Sequence, residues 1–217
     1  MEMSSKIKEV RKKIASALAI MQLDELKCRK RVLRRLGFIN DADVVQLKAR
    51  VACEISTGDE LVLSELLFNR FFNELTPEQC AACLSCFIFE EKSEETTALR
   101  EELATPFREI QKQARIVAKV SQESKLPVNE EEYLQTFKHQ LMEVVYAWSK
   151  GSTFAQICKM TDVYEGSLIR LFRRLEELLR QIAQAAKVMG SDDLEKKFEE
   201  ALTKVRRDIV AAQSLYL

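Results

Sequence analysis

Apolar residues recur at intervals of three and four along almost the whole chain, which is the spacing of helices with one buried face. An early stripe runs through residues 7–18 and a longer one through residues 163–189. No segment shows the strict alternation of a half-buried strand. The pattern therefore predicts an all-α fold, a multi-helix bundle of about eight or nine helices.

Turn and capping residues divide this pattern into segments. Residues 76–79 read Thr-Pro-Glu-Gln, so that Thr76 can cap a helix, Pro77 suits its first position and Gln79 can complete a capping box. Further helix starts are predicted at Asn40, Asp59, Thr105, Asn129 and Asp162.

For three of these starts the sequence also predicts how far the helix continues or how it is capped. The helix opened by Asn40 is expected to continue to Ile55, and the helix opened by Asn129 to continue to Trp148. Asp162 and Glu165 are expected to form a second capping box.

Composition narrows the class of protein. Five Gly and three Pro in 217 residues are too few for the turns of an all-β or Rossmann-type chain. Lys plus Arg and Asp plus Glu both number 34, so the formal net charge is zero. A free-standing nucleic-acid-binding domain is usually basic, so any RNA contact should be local and should need a second surface.

Neither a membrane span nor a secretory signal is recognisable, because no apolar stretch approaches 18 residues and residues 1–13 lack an apolar core. Six cysteines without a secretory signal indicate reduced thiols in the cytosol or nucleus.

No set of catalytic residues stands out. His139 is the only histidine, which excludes a multi-histidine metal site, and no nucleophile is recognisable beside it. The chain has no G-x-x-x-x-G-K-[ST] loop, so it should not hydrolyse ATP by itself. Cys80, Cys83 and Cys86 have a spacing seen in metal sites, but a capped helix with apolar neighbours favours three small buried residues.

Two basic segments are candidates for binding. Arg170 and Arg174 lie off the apolar stripe, one turn and about 6 Å apart, close to the phosphate spacing of an extended strand. Residues 26–35 hold six Lys and Arg. For either segment, the alternative to a binding role is an ordinary solvated helix surface. Residues 153–178 also resemble a helix-turn-helix, in which the second helix would enter a DNA groove.

Four runs resemble a known family. They are LDELKCRKRVLRRLGF at 23–38, RVACEISTGDELVLSELLF at 50–68, TFAQICKMTDVYEGSLIR at 153–170 and RRDIVAAQSLYL at 206–217. They are similar to the C-terminal helical domain, called DSHCT, of superkiller-type DExH-box RNA helicases, in particular the nuclear exosome-activating (mRNA-transport) branch in its fungal form. The resemblance covers residues 21–217. Residues 1–20 resemble the end of a stalk helix returning from the family's arch insertion, or a leader.

The resemblance implies a role in a larger machine. The motor domains of the family, which bind ATP and Mg²⁺, have no counterpart in this sequence, so no cofactor is expected in this chain. The family's ratchet helix corresponds to residues 163–189, with Arg170 and Arg174 contacting RNA and Glu91 facing an RNA base.

Implied partners are single-stranded RNA, the RecA-like motor domains, the RNA exosome and adaptor proteins, in the nucleus and away from membranes. The alternative is a protein scaffold that docks the motor or the adaptors through the basic segment and the apolar C-terminus.

Overall fold

Helices form the regular structure of the described chain. The computed structural model describes residues 2–89 and 98–211, and within these ranges it contains eleven α-helices and one isolated bridge, between Ile39 and Val45. The helices are α1 Glu2–Arg35, α2 Leu47–Cys53, α3 Glu60–Phe68, α4 Pro77–Ser85, α5 Glu101–Glu123, α6 Glu130–Gln135, α7 Met142–Ser149, α8 Phe154–Ile157, α9 Glu165–Met189, α10 Asp192–Val205 and α11 Asp208–Ala211. The all-α prediction is confirmed. None of these helices is long and apolar enough to cross a membrane.

The core is built around α9. This helix lies along α10 and also contacts α2, α4 and α11, while α4 packs against α7. The predicted apolar stripe of α9 is buried at Leu168, Leu171, Phe172, Leu175, Leu178, Leu179 and Ile182. One continuous apolar cluster joins residues from Val32 in α1 to Val210 in α11. The long helix that bears the candidate arginines is therefore anchored along one whole face.

Three of the predicted helix starts hold at the atomic level. Thr76 and Gln79 form the predicted capping box at α4, and Asp59 caps α3 by accepting from the Val62 amide at 2.9 Å. Asn129 caps α6 by accepting from the Glu131 and Glu132 amides.

The first two predicted helical segments differ from the structure in their boundaries. Residues 7–18 and a second segment that the apolar pattern predicts at 23–36 lie on one continuous helix, α1, which ends at Arg35, one residue before Leu36. The helix expected from Asn40 begins later, at Leu47. Asn40 instead folds a turn, because its side-chain oxygen accepts from the Ala42 and Val44 amides.

Three later boundaries also differ. The helix expected at Thr105 starts at Glu101, so that Pro106 lies inside α5. The segment expected from Asn129 to Trp148 is divided into α6 and α7. The capping box of Asp162 and Glu165 was wrong, since Tyr164 is the N-cap of α9 and its side chain makes no capping bond.

Pro106 is accommodated inside α5 by a bond from another helix. A proline has no amide hydrogen, so the carbonyl of Glu102, four residues earlier, loses its partner within the helix. The Gln79 Nε2 of α4 donates to that carbonyl at 3.0 Å. Because the lost bond is replaced, α5 can begin before its proline.

Candidate nucleic-acid interface

The two predicted arginines lie on the solvent side of α9. Arg170 is exposed and Arg174 is half-buried, and the intervening Arg173 is also exposed. The Arg170 Nη2 donates to the Ser167 Oγ at 2.9 Å. Between Gly166 and Leu175 these arginines are the only charged residues of the sequence, so the charged side chains that this stretch of α9 contributes are all basic.

The opposite face of the same stretch is fixed in the core. Leu168, Phe172 and Leu175 are fully buried, and the Phe172 ring lies 5.2 Å from the ring of Trp148 in α7. Side chains at positions 170 and 174 project from a helix that cannot rotate without breaking this packing. The spacing of the two guanidinium groups is therefore set by the helix.

Gln181 joins α9 to the loop between α2 and α3. Its Oε1 accepts from the amides of Ser56 at 2.9 Å and Thr57 at 3.0 Å, and its Nε2 donates to the Ser56 Oγ. The same loop approaches α9 closely at Gly58, where an added Cβ would lie 2.9 Å from Leu63 Cδ1 and 3.5 Å from Leu178 Cδ1. Sequence reasoning missed Gln181, because a lone polar residue off the apolar stripe gives no signal.

Acidic residues limit the basic surface toward the C-terminal half of α9. Glu177 pairs with Arg180 at 2.6 Å, and Glu176 lies 3.5 Å from the guanidinium of Arg206 beyond α10. A polyanion would therefore meet carboxylates one turn after Arg174. The geometry favours contact through residues 170–174.

The helix-turn-helix interpretation of residues 153–178 finds less support in the geometry. Its first helix would be α8, a single turn of four residues capped by Thr153. In a DNA-binding helix-turn-helix that first helix crosses the DNA backbone, which requires a longer element.

Glu91, the third predicted RNA-contacting residue, lies outside the described residues. Its role stays a prediction from the resemblance. The apolar C-terminal run that the scaffold alternative invokes, residues 214–217, lies outside them as well.

The basic segment of residues 26–35 faces carboxylates of its own chain. Lys30 and Arg34 both bind Asp43, and their hydrogen bonds hold the pKa of that carboxyl below its ordinary value. Arg35 pairs with Glu123 of α5, which fastens α1 to that helix. The docking of an acidic partner at this segment stays a prediction, and such a partner would compete with these pairs.

The cysteine run lies in the core rather than in a metal-binding loop. Cys80, Cys83 and Cys86 are fully buried along α4 and at its C-terminal end. Burial raises the pKa of the Cys80 thiol to about 12 and also raises the pKa of the Cys83 and Cys86 thiols. Within residues 2–89 and 98–211, no group of three or more His, Cys, Asp and Glu side chains could hold a metal ion.

His139 packs against an aromatic ring. Its ring lies 5.1 Å from the ring of Phe107, and burial lowers its pKa. The neutral imidazole therefore packs beside an aromatic ring at neutral pH.

Comparison with known proteins identifies the family. Residues 42–213 match the DSHCT (NUC185) domain. The chain is 62% identical over 212 residues to the ATP-dependent RNA helicase mtr4 of Schizosaccharomyces pombe, covering 97% of this chain and 19% of that protein. It is 58% identical over 211 residues to the Exosome RNA helicase MTR4 of Homo sapiens, covering 97% and 20%.

A plant relative extends the same similarity. The DExH-box ATP-dependent RNA helicase DExH9 of Arabidopsis thaliana is 47% identical over 216 residues, covering 100% of this chain and 22% of that protein. The chain thus spans about a fifth of the length of these relatives.

Proposed function

Because this chain belongs to the DSHCT domain family, which occurs in DExH-box RNA helicases, we propose that it is the RNA-guiding helical domain of an ATP-dependent 3′-to-5′ RNA helicase acting with the RNA exosome. The names of the S. pombe and human relatives support the class of enzyme and the exosome. The observation that carries the RNA-guiding role is the position of Arg170 and Arg174 on the solvent side of a helix buried along its other face.

The arginines would act by holding a single strand in register. Guanidinium groups bind phosphate oxygens in a bidentate manner and stack on unpaired bases, so a pair one turn apart can follow an extended strand. The buried face of α9 keeps the two groups at a fixed spacing while the strand moves. With a net charge of zero, the chain would bind RNA weakly until another domain supplies the second wall of the channel.

Catalysis would belong to the motor domains of the complete protein. ATP and Mg²⁺ would bind there, and this chain would neither hydrolyse nucleotide nor unwind RNA by itself. The motor domains, the exosome and its adaptor proteins would be its protein partners, and the nucleus its compartment.

The test is a fluorescence titration of a labelled single-stranded oligoadenylate with the chain, alone and together with separately expressed motor domains. Arg170→Ala/Arg174→Ala should bind RNA more weakly in the presence of the motor domains. The slope of log K against log salt concentration should become shallower by about 1.4, since each lost phosphate contact contributes about 0.7 for a single strand.

Arg180→Ala is the matched control, because Arg180 is an exposed arginine of the same helix that lies outside residues 170–174 and beside the carboxylate of Glu177. It should bind RNA like the unsubstituted chain. If the double variant also binds RNA normally and still docks on the motor domains, the domain is a protein scaffold. ATP turnover by the purified chain would contradict the assignment of catalysis to other domains.

A further inference from the structure

Tyr164 is the most exposed large apolar or aromatic side chain among the described residues, at 84%. The other exposed large apolar side chains range from 36% to 55%. The exposed ring offers an aromatic face on which another aromatic group can stack. Its place in the sequence, between Val163 and Glu165 at the entrance to α9, puts it directly before the basic stretch of that helix.

The backbone of Tyr164 is held firmly although its ring is exposed. Its carbonyl accepts from the amides of Ser167 at 2.9 Å and Leu168 at 3.0 Å, and both of these residues are buried. On the other side, Val163 is buried and its amide donates to the Thr161 Oγ1 at 3.2 Å. The ring is therefore attached to a fixed point, which lowers the entropy cost of binding against it.

Gly166 is a second residue that the fold does not explain. A Cβ added there would meet nothing within 4 Å, and its φ is not in the left-handed region. Glycine in a helix interior costs about 1 kcal/mol relative to alanine, and nothing around position 166, the second residue of α9, requires glycine. Residues 166, 170 and 174 are spaced by four and share one face of α9, so Gly166 leaves the helix surface bare one turn before Arg170.

We propose that Tyr164 stacks on a base of single-stranded RNA and that Gly166 lets the strand lie against the helix backbone before it reaches Arg170 and Arg174. About 9 Å of helix rise separates positions 164 and 170. The carboxylate of Glu165, next to Tyr164, repels phosphates, so a base rather than a phosphate fits there, while the arginines attract the phosphates that follow. Stacking on an aromatic ring tolerates any base sequence, which suits a strand that moves through a channel.

The inference rests on the proposed function. It adds a residue that stacks on a base, Tyr164, and a position at which the strand can approach the helix backbone, Gly166. The probe is an oligoadenylate that contains 2-aminopurine, whose fluorescence changes when it stacks. It is titrated with the chain at low ionic strength, alone and with the separately expressed motor domains.

Tyr164→Ala should weaken binding about fivefold or more and remove the fluorescence change, whereas Tyr164→Phe should keep both. Gly166→Ala should bind more weakly while its melting temperature stays equal or rises, because alanine is the better helix former. Loss of binding together with a gain in stability is a result that a purely structural role of Gly166 would not give.

The outcomes separate the two proposals. If Arg170→Ala/Arg174→Ala weakens binding but Tyr164→Ala and Gly166→Ala do not, the strand does not reach the start of α9 and only this inference fails. If none of the variants changes binding, or the unsubstituted chain binds in neither format, the proposed function fails as well. If Tyr164→Ala reduces docking on the motor domains and leaves RNA binding intact, Tyr164 belongs to a protein interface.

Discussion

At the scale of single residues, Arg207 and Trp148 join the end of α10 to α7 and to the loop between α7 and α8. The Arg207 guanidinium lies 3.6 Å from the centre of the Trp148 ring, and its Nη2 donates to the carbonyls of Trp148 and Ser152. The Trp148 Nε1 donates in turn to the Val205 carbonyl at 2.9 Å. The stacked pair and its hydrogen bonds therefore connect the end of α10 to α7 and to the loop that follows α7.

Arg207→Ala should lower the free energy of unfolding by about 2 to 3 kcal/mol, because it removes the stacking and two charge-assisted hydrogen bonds. Urea denaturation followed by the fluorescence of Trp148, the only tryptophan, measures this directly. The neighbouring Arg206 is an exposed residue with one long ion pair, so Arg206→Ala should cost less than about 0.5 kcal/mol. Equal effects of the two substitutions would contradict a structural role for the stacked pair.

The thiols should divide into two classes by reactivity. Burial raises the pKa of the Cys80 thiol to about 12, so it stays protonated at neutral pH and is also shielded from reagents. Cys53 is exposed. We expect N-ethylmaleimide to label Cys53 in the native chain and to label Cys80, Cys83 and Cys86 only after unfolding in urea, as mass spectrometry of the peptides would show. Rapid native labelling of all six cysteines would contradict the buried positions.

At the scale of elements, Gln79 connects α4 to α5. Its Oε1 accepts from the Thr76 amide at 2.9 Å in the capping box, while its Nε2 donates to the carbonyl that Pro106 leaves without a helical partner. Gln79→Ala should lower the free energy of unfolding by about 2 kcal/mol, since it removes a cap and leaves that carbonyl unpaired.

Gln156 is the matched control for this prediction, because it forms the same capping box with Thr153 at α8. Gln156→Ala should cost about 1 kcal/mol or less in urea denaturation. If Gln79→Ala costs no more than Gln156→Ala, the bond to the Glu102 carbonyl does not stabilise α5.

The start of a helix could be predicted where its cap is a local sequence motif. It could not be predicted where the first turn depends on a residue that is distant in the sequence. The Thr76 box was predicted correctly because all of its atoms lie within four residues. The start of α5 was misplaced because its first turn depends on Gln79, which is 23 residues away from the carbonyl it binds. Asp162 was misplaced as a cap, because the N-cap of α9 is Tyr164, a residue without a capping side-chain bond that lies between the buried Val163 and the buried Ser167.

At the scale of the whole molecule, the buried side of the candidate site was predictable and its surroundings were not. The apolar period of α9 placed Arg170 and Arg174 off the buried stripe, and the structure agrees. The same period cannot tell which carboxylates approach a basic segment, so the pairing of Arg34 with Asp43 and of Arg35 with Glu123 became visible only in the fold. Part of the zero net charge of the sequence thus reflects a basic segment, residues 26–35, that is paired with acids of its own chain.

The first half of α1 should be separable from the rest of the molecule. The side chains of residues 6–17 are all exposed, including the apolar Ile7, Val10 and Ile14, whereas Val32 near the end of α1 is buried in the core. A helical segment whose side chains are exposed buries little apolar surface and therefore adds little to stability. Removal of residues 1–17 should therefore change neither the free energy of unfolding, to within about 0.5 kcal/mol, nor the urea m-value, which reports the surface exposed on unfolding.

Val32→Ala in the full chain should cost about 2 kcal/mol in the same assay, because it opens a cavity where α1 meets the bundle. A marked loss of stability or a smaller m-value on truncation would show that residues 1–17 pack on the bundle, and the predicted division between residues 1–20 and 21–217 would then be wrong.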